Sequence, residues 1–130
     1  MIVVDASAVL DLLLRAEGVE AIEERLLAPG TSLHAPHLLD LEVAQALRRF
    51  ERTGDLAPAR ARQALADLDI LPLHRHPHDG LLGRIWELRH AMTAYDAAYV
   101  ALAEGLGAPL VTRDRRLAQA RGHRARMEVV

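Results

Sequence analysis

Cysteine is absent from the 130 residues, which excludes disulfides and thiolate metal sites and leads us to expect a reducing compartment, the cytoplasm. Lysine is absent as well, since all 16 basic residues are arginine. That excludes chemistry built on a lysine amine, such as a Schiff base or a Walker-type phosphate loop. Aromatic residues make up only 3% of the chain, so its core must be assembled from Leu, Ala, Val and Ile. No apolar run reaches the roughly 18 residues of a membrane span, and none is expected. The start, Met1-Ile2-Val3-Val4-Asp5, has no basic segment and meets an acid at once, so it is not read as a signal peptide. What is present is ample apolar material, 51% of residues, enough for one globular domain over 1–130. The formal charge is -2, which by itself points to no nucleic-acid partner. Its distribution is uneven, however. From Arg113 to Arg126 six arginines face one acid, Asp114, and form a local positive stretch.

Short β-branched runs alternate with longer amphipathic stretches, the pattern of an α/β domain. Strands are expected at Met1–Val4, Ser32–Ala35, Ile70–Leu73, Leu110–Thr112 and about Arg126–Val130. Helices are expected at Ala6–Leu14, Gly18–Ala28, Pro36 to about Thr53, Pro58 to about Leu68, Leu81–His90, Thr93–Gly105, and a short one to Gln119. Thr93 has the place of an N-cap with Asp96 three residues on. Strands separated by helices imply a mostly parallel sheet with helices on both faces.

Ligands of open parallel sheets bind beyond the carboxyl ends of the strands. Asp5 ends the first strand, and Asp114 follows the fourth by one residue. Asp96 lies in the first turn of the helix leading to strand four, so it faces the same edge. Glu42 lies early in the helix leaving strand two, and helical side chains lean toward the N-terminus. Four acids from four segments thus converge. Singly, Asp5, Asp96 and Asp114 could be plain helix caps or first-turn acids. Together they repel unless a cation joins them, and an all-oxygen donor set suits Mg²⁺ or Mn²⁺. Such an ion supports phosphodiester hydrolysis.

At these residues the sequence resembles the PIN-domain nucleases, specifically the VapC-type toxins of bacterial toxin–antitoxin pairs. The matching pieces are Val3-Val4-Asp5-Ala6-Ser7, Leu41-Glu42-Val43-Ala44, Thr93 through Ala103 around Asp96, and Thr112-Arg113-Asp114-Arg115-Arg116-Leu117. Residues 54–89 carry no family signature. The resemblance implies a three-layer α/β/α sandwich and a metal-dependent endoribonuclease, with Asp5 and Asp96 as core metal ligands completed by Glu42 and Asp114. It also implies that Ser7 and Thr112 place hydroxyls near the metal, that the chain forms a homodimer, and that a VapB-like antitoxin lays its tail over the active-site groove. Arg113, Arg115 and Arg116 flank Asp114 and are the arginines best placed for an RNA backbone.

Other features are read more plainly. His74, His76 and His78 alternate, but Pro77 interrupts them and no fourth ligand is evident, so a surface loop is expected rather than a Zn²⁺ site. Leu82, Ile85 and Trp86 have helical spacing and are expected in the core or a dimer contact. Tyr95 and Tyr99 stand one turn apart, so one is expected inward and the other in the groove. Phosphatases of the haloacid-dehalogenase type and response-regulator receivers also use an Asp after a strand, yet both need a Lys that this chain lacks. The remaining alternative is a PIN-like scaffold that binds RNA or protein without cutting, and such a scaffold should have lost one of the acids.

Overall fold

The computed structural model describes residues 1–130. Five strands form one sheet: β1 (Ile2–Val4), β2 (Leu33–Pro36), β3 (Leu73–His76), β4 (Leu110–Thr112) and β5 (Met127–Val129). Their order is β3-β2-β1-β4-β5, and every pair is parallel. Seven helices connect them: α1 (Ala6–Leu14), α2 (Glu20–Leu26), α3 (Leu38–Arg52), α4 (Pro58–Ile70), α5 (Leu82–Glu87), α6 (Ala94–Leu106) and α7 (Arg115–Ala118).

Parallel neighbours need crossover connections, and these are right-handed. The chain winds from β1 through β2 to β3, which puts α1 to α4 on one face. It then returns past β1 to β4, which puts α5 and α6 on the other. Helix α6 lies across β1, β2 and β4, and α5 packs on α6. A three-layer α/β/α sandwich results, as expected. Because α6 is covered on both sides, its residues Ala97 through Ala103 are all buried. Four of those seven are alanines, and small side chains allow a close approach of helix to sheet. Gly107 closes α6 in the left-handed region at φ +60°. A Cβ there would meet nothing within 4 Å, so Gly107→Ala adds only backbone strain. We expect a loss of about 1 kcal/mol, read as a lower urea midpoint at unchanged slope.

The structure corrects several boundaries. Pro36 belongs to β2, so α3 begins at Leu38. Helix α2 is shorter than the composition implies, and residues 79–81 form a separate 3-10 turn before α5. The third strand is displaced. Ile70 ends α4, Pro72 blocks further helix, and β3 runs Leu73–His76 in register with Leu33 to Pro36. His74 and His76 therefore lie on an edge strand, not in a surface loop. His34 of β2 stacks on His74 at a centroid distance of 4.7 Å, and its Nδ1 is 2.9 Å from His76 Nε2. His78, beyond Pro77, accepts the backbone N–H of Leu38. On α5, Ile85 enters the core, whereas Leu82 and Trp86 are exposed, with Arg89 over the indole ring.

Candidate active site

The strand order reverses between β1 and β4, and a crevice opens beyond their carboxyl ends. Register places Val4 beside Val111, so Asp5 and Thr112 emerge next to each other. Among the few buried polar residues are Asp5, His34 and Thr112. Two of them meet at this point, although burying a charge is costly unless something compensates it.

Asp5 is held tightly. One carboxylate oxygen, Oδ1, accepts the Ser7 hydroxyl at 2.6 Å and the Ala8 backbone N–H at 3.0 Å, which also makes Asp5 the N-cap of α1. The other, Oδ2, accepts the Thr112 hydroxyl. Thr112 in turn accepts the Asp114 backbone N–H at 2.9 Å, and Ser7 accepts that of Arg113 at 3.0 Å. The hydroxyls of Ser7 and Thr112 thus tie the end of β1 to the end of β4. Each carboxylate oxygen accepts about two hydrogen bonds, so Asp5 keeps free capacity only on Oδ2.

The other acids arrive on helices. Glu42 is in the second turn of α3, and its Oε1 accepts the buried hydroxyl of Tyr99 at 2.6 Å. Asp96 is in the first turn of α6, where its backbone N–H is capped by Thr93 Oγ1 at 3.2 Å. Asp114 is the N-cap of α7, with Oδ1 accepting the backbone N–H groups of Arg116 and Leu117. Asp5 and Asp114 thus take the capping roles that the sequence offered, and Asp96 the first-turn position.

Electrostatics ties the four into a ring. Burial pushes the Asp5 carboxyl above its ordinary value; the Ser7, Thr112 and Ala8 hydrogen bonds pull it back, and the charge of Asp114 adds to the rise. Glu42 is pushed up first by burial, then by Asp96 and Asp5, against the Tyr99 hydrogen bond. Asp96 is pushed up by burial and by Asp114, while the nearby Arg116 pulls it down. Asp5 thus feels Asp114, Asp114 acts on Asp96, and Glu42 feels both Asp96 and Asp5. Burial is the largest cause of the rise in Asp5, Glu42 and Asp96, and the neighbouring carboxylates add to it.

The donor set fits a hard divalent ion. Free oxygen capacity remains on Asp5 Oδ2, Glu42 Oε2, Asp96 and Asp114 Oδ2. No three of the protein's acids and histidines stand close enough to cage an ion unaided. Octahedral Mg²⁺ takes one or two carboxylates directly and keeps several waters.

Around the ring, Arg115 and Arg116 are exposed. Arg113 is already engaged: its guanidinium donates to Asp11 at 2.8 Å and to the backbone oxygens of Val130 and Glu17. A groove of about 520 Å³ reaches one of the four acids, Glu42, and is lined also by Ser7, Leu10, Leu38, Arg49 and Tyr95 among others. Tyr95 opens into it and is exposed, whereas Tyr99 is 2% exposed. Two features of this site had no sequence signal, namely Arg49 as a cation in the groove and Tyr99 as the partner of Glu42.

A parallel α/β/α sandwich with carboxylates at its topological switch point defines a fold class, and comparison with known proteins places the chain within it. The PIN domain family model matches residues 2–122. Ribonuclease VapC9 of Mycobacterium tuberculosis is 49% identical over 117 residues, covering 90% of this chain and 88% of its own length. Ribonuclease VapC12 of the same organism is 41% identical over 130 residues, 100% of this chain and 99% of its own. The crystal structure of PAE2754 from Pyrobaculum aerophilum superposes with a TM-score of 0.70 at 29% identity, covering 98% of this chain and 82% of that one. The chain belongs to the PIN-domain family, among its VapC-type ribonucleases.

Proposed function

We propose that this protein is the toxin of a toxin–antitoxin pair, an endoribonuclease that hydrolyses RNA phosphodiester bonds at an Mg²⁺ or Mn²⁺ ion held by Asp5, Glu42, Asp96 and Asp114. What supports this reading is a set of acids from four separate segments, with Asp5 held by Ser7 and Thr112 at the ends of β1 and β4 and Glu42 held by Tyr99. When bound, such an ion polarises a phosphate oxygen, lowers the pKa of a water and stabilises charge on the leaving oxygen. The protein's own residues prepare the place. Ser7 and Thr112 fix the Asp5 carboxylate so that it cannot rotate away. Arg115 and Arg116 offer guanidinium groups to the RNA phosphates, and Arg113 holds the loop between β4 and α7 that presents them. The intact set of acids favours cutting over a silent scaffold.

The partners are an RNA substrate, a VapB-like antitoxin covering the groove, and a second copy of this chain. The chain acts as one domain over 1–130, in the cytoplasm. No helix is long and apolar enough to cross a membrane. The test is cleavage of total RNA. Activity should require Mg²⁺ or Mn²⁺, stop on EDTA addition and return when excess metal is restored. Cleavage that persists in EDTA would remove the metal from the mechanism.

A further inference from the structure

Glutamate is a poor metal ligand unless something orders it, because its carboxylate swings on three rotatable bonds, each freezing at an entropic cost. Asp5 is fixed by three hydrogen bonds; Glu42 has only one, from Tyr99. That single bond joins residues 57 apart in sequence and is 2.6 Å long. Its donor is among the largest fully buried side chains of the protein. A phenol usually buries only when its hydroxyl finds a partner, and Glu42 is the acceptor here.

The position of Tyr99 is unusual in a second way. It lies on α6 three residues after Asp96, one turn further from the sheet edge. Tyr99 thus sits on the Asp96 helix and donates its hydroxyl to Glu42 on α3, linking two of the four segments that supply acids.

We propose that Tyr99 is a positioning residue of the ribonuclease site, whose hydroxyl binds Glu42 Oε1 and leaves Oε2 free for the cation that the acids would hold. The inference rests on the proposed metal-dependent function but makes its own separate claim. Tyr99 touches neither metal nor RNA and acts only through Glu42. Outer partners of metal ligands are typically worth about 10–100-fold in metal affinity or activity.

Tyr99→Phe isolates the effect, because it removes one oxygen and keeps the ring that packs in the core. The measurements are Mn²⁺ affinity by paramagnetic resonance without RNA, and cleavage rate as a function of Mg²⁺. We expect Mn²⁺ binding to weaken about 10-fold and the Mg²⁺ dependence of cleavage to move to higher concentration, with excess Mg²⁺ restoring most of the rate. The decisive comparison is a double-mutant cycle with Glu42→Gln. If Tyr99 works through Glu42, Tyr99→Phe should cost little further once Glu42 is gone. Equal losses in both backgrounds, or wild-type Mn²⁺ affinity in Tyr99→Phe, would overturn the proposal. A wild type that binds Mn²⁺ but cuts no RNA would overturn the ribonuclease function while leaving the Tyr99 affinity comparison valid.

Discussion

Asp5→Asn is expected to lower RNA cleavage on the order of 10³-fold and, in metal-free buffer, to raise the melting temperature by several degrees. Both effects follow from one carboxylate. Asp5 is 6% exposed and lies within reach of the charge of Asp114. Its pKa is raised in the folded state, so its ionised form opposes folding at neutral pH. Asparagine removes that charge and keeps much of the bonding. Its oxygen still accepts from Ala8 and Ser7, and its amide can donate to Thr112. The Thr112 proton can then turn to the Ser7 hydroxyl, 3.4 Å away. The sign sets further expectations. The advantage of the variant should shrink as pH falls from the raised folded value toward the ordinary 3.8, because wild-type Asp5 then becomes neutral too. It should also shrink when Mg²⁺ is added, since the ion stabilises only the protein that binds it. Differential scanning calorimetry with and without Mg²⁺ gives both readouts. An Asp5→Asn protein that melts below the metal-free wild type would mean the carboxylate is structural and not poised for a cation.

The second large effect lies away from the active site. Glu104→Gln is expected to destabilise the protein by about 2–3 kcal/mol, a fall in melting temperature on the order of 10 °C. Glu104 is on α6 with only 7% of its side chain exposed, and it receives a two-pronged contact from Arg84 at 2.7 and 3.0 Å. It also accepts the backbone N–H of Arg124 at 2.7 Å. One carboxylate thus joins α5, α6 and the segment leading into β5. We place the cost below that of a fully buried pair, because Arg84 is about a quarter exposed and keeps its contact with Glu87. Arg84 holds the Glu104 carboxyl below its ordinary value of 4.5. The stabilisation is therefore complete above about that pH and is lost as pH falls through the lower folded value. Urea midpoints measured from pH 7 down to pH 3 should fall for the wild type below about 4.5. They should fall less for Glu104→Gln, so the two converge in acid. Parallel curves would show that Glu104 contributes through shape and not through charge.

Much of the proposed site was legible before any coordinates, because three of its four acids sit beside a strong local marker. Asp5 and Asp114 follow β-branched runs, and Asp96 follows the Thr93 cap. A parallel sheet puts strand ends and such helix starts at one edge. Glu42 has no strand end or cap beside it, and the hydroxyl that holds it comes from Tyr99, 57 residues away. The expected strand at Ile70–Leu73 failed for a related reason. Ile70 and Leu71 are as apolar as any strand, but the site of β3 is set by pairing with the whole of β2, after Pro72 has ended the helix.

By itself the sequence determined the layer architecture and the helix caps and pointed to the chemistry of the site, since these follow from periodicity, turn residues and residue type, all of which are local. Tertiary structure alone decided which long-range partners each polar group found. It joined Tyr99 to Glu42, spent Arg113 on Asp11, and set His34 between His74 and His76. Those pairings depend on where the crossovers bring segments tens of residues apart into contact. Hydrogen bonds require a match of a few tenths of an ångström, which no local pattern specifies.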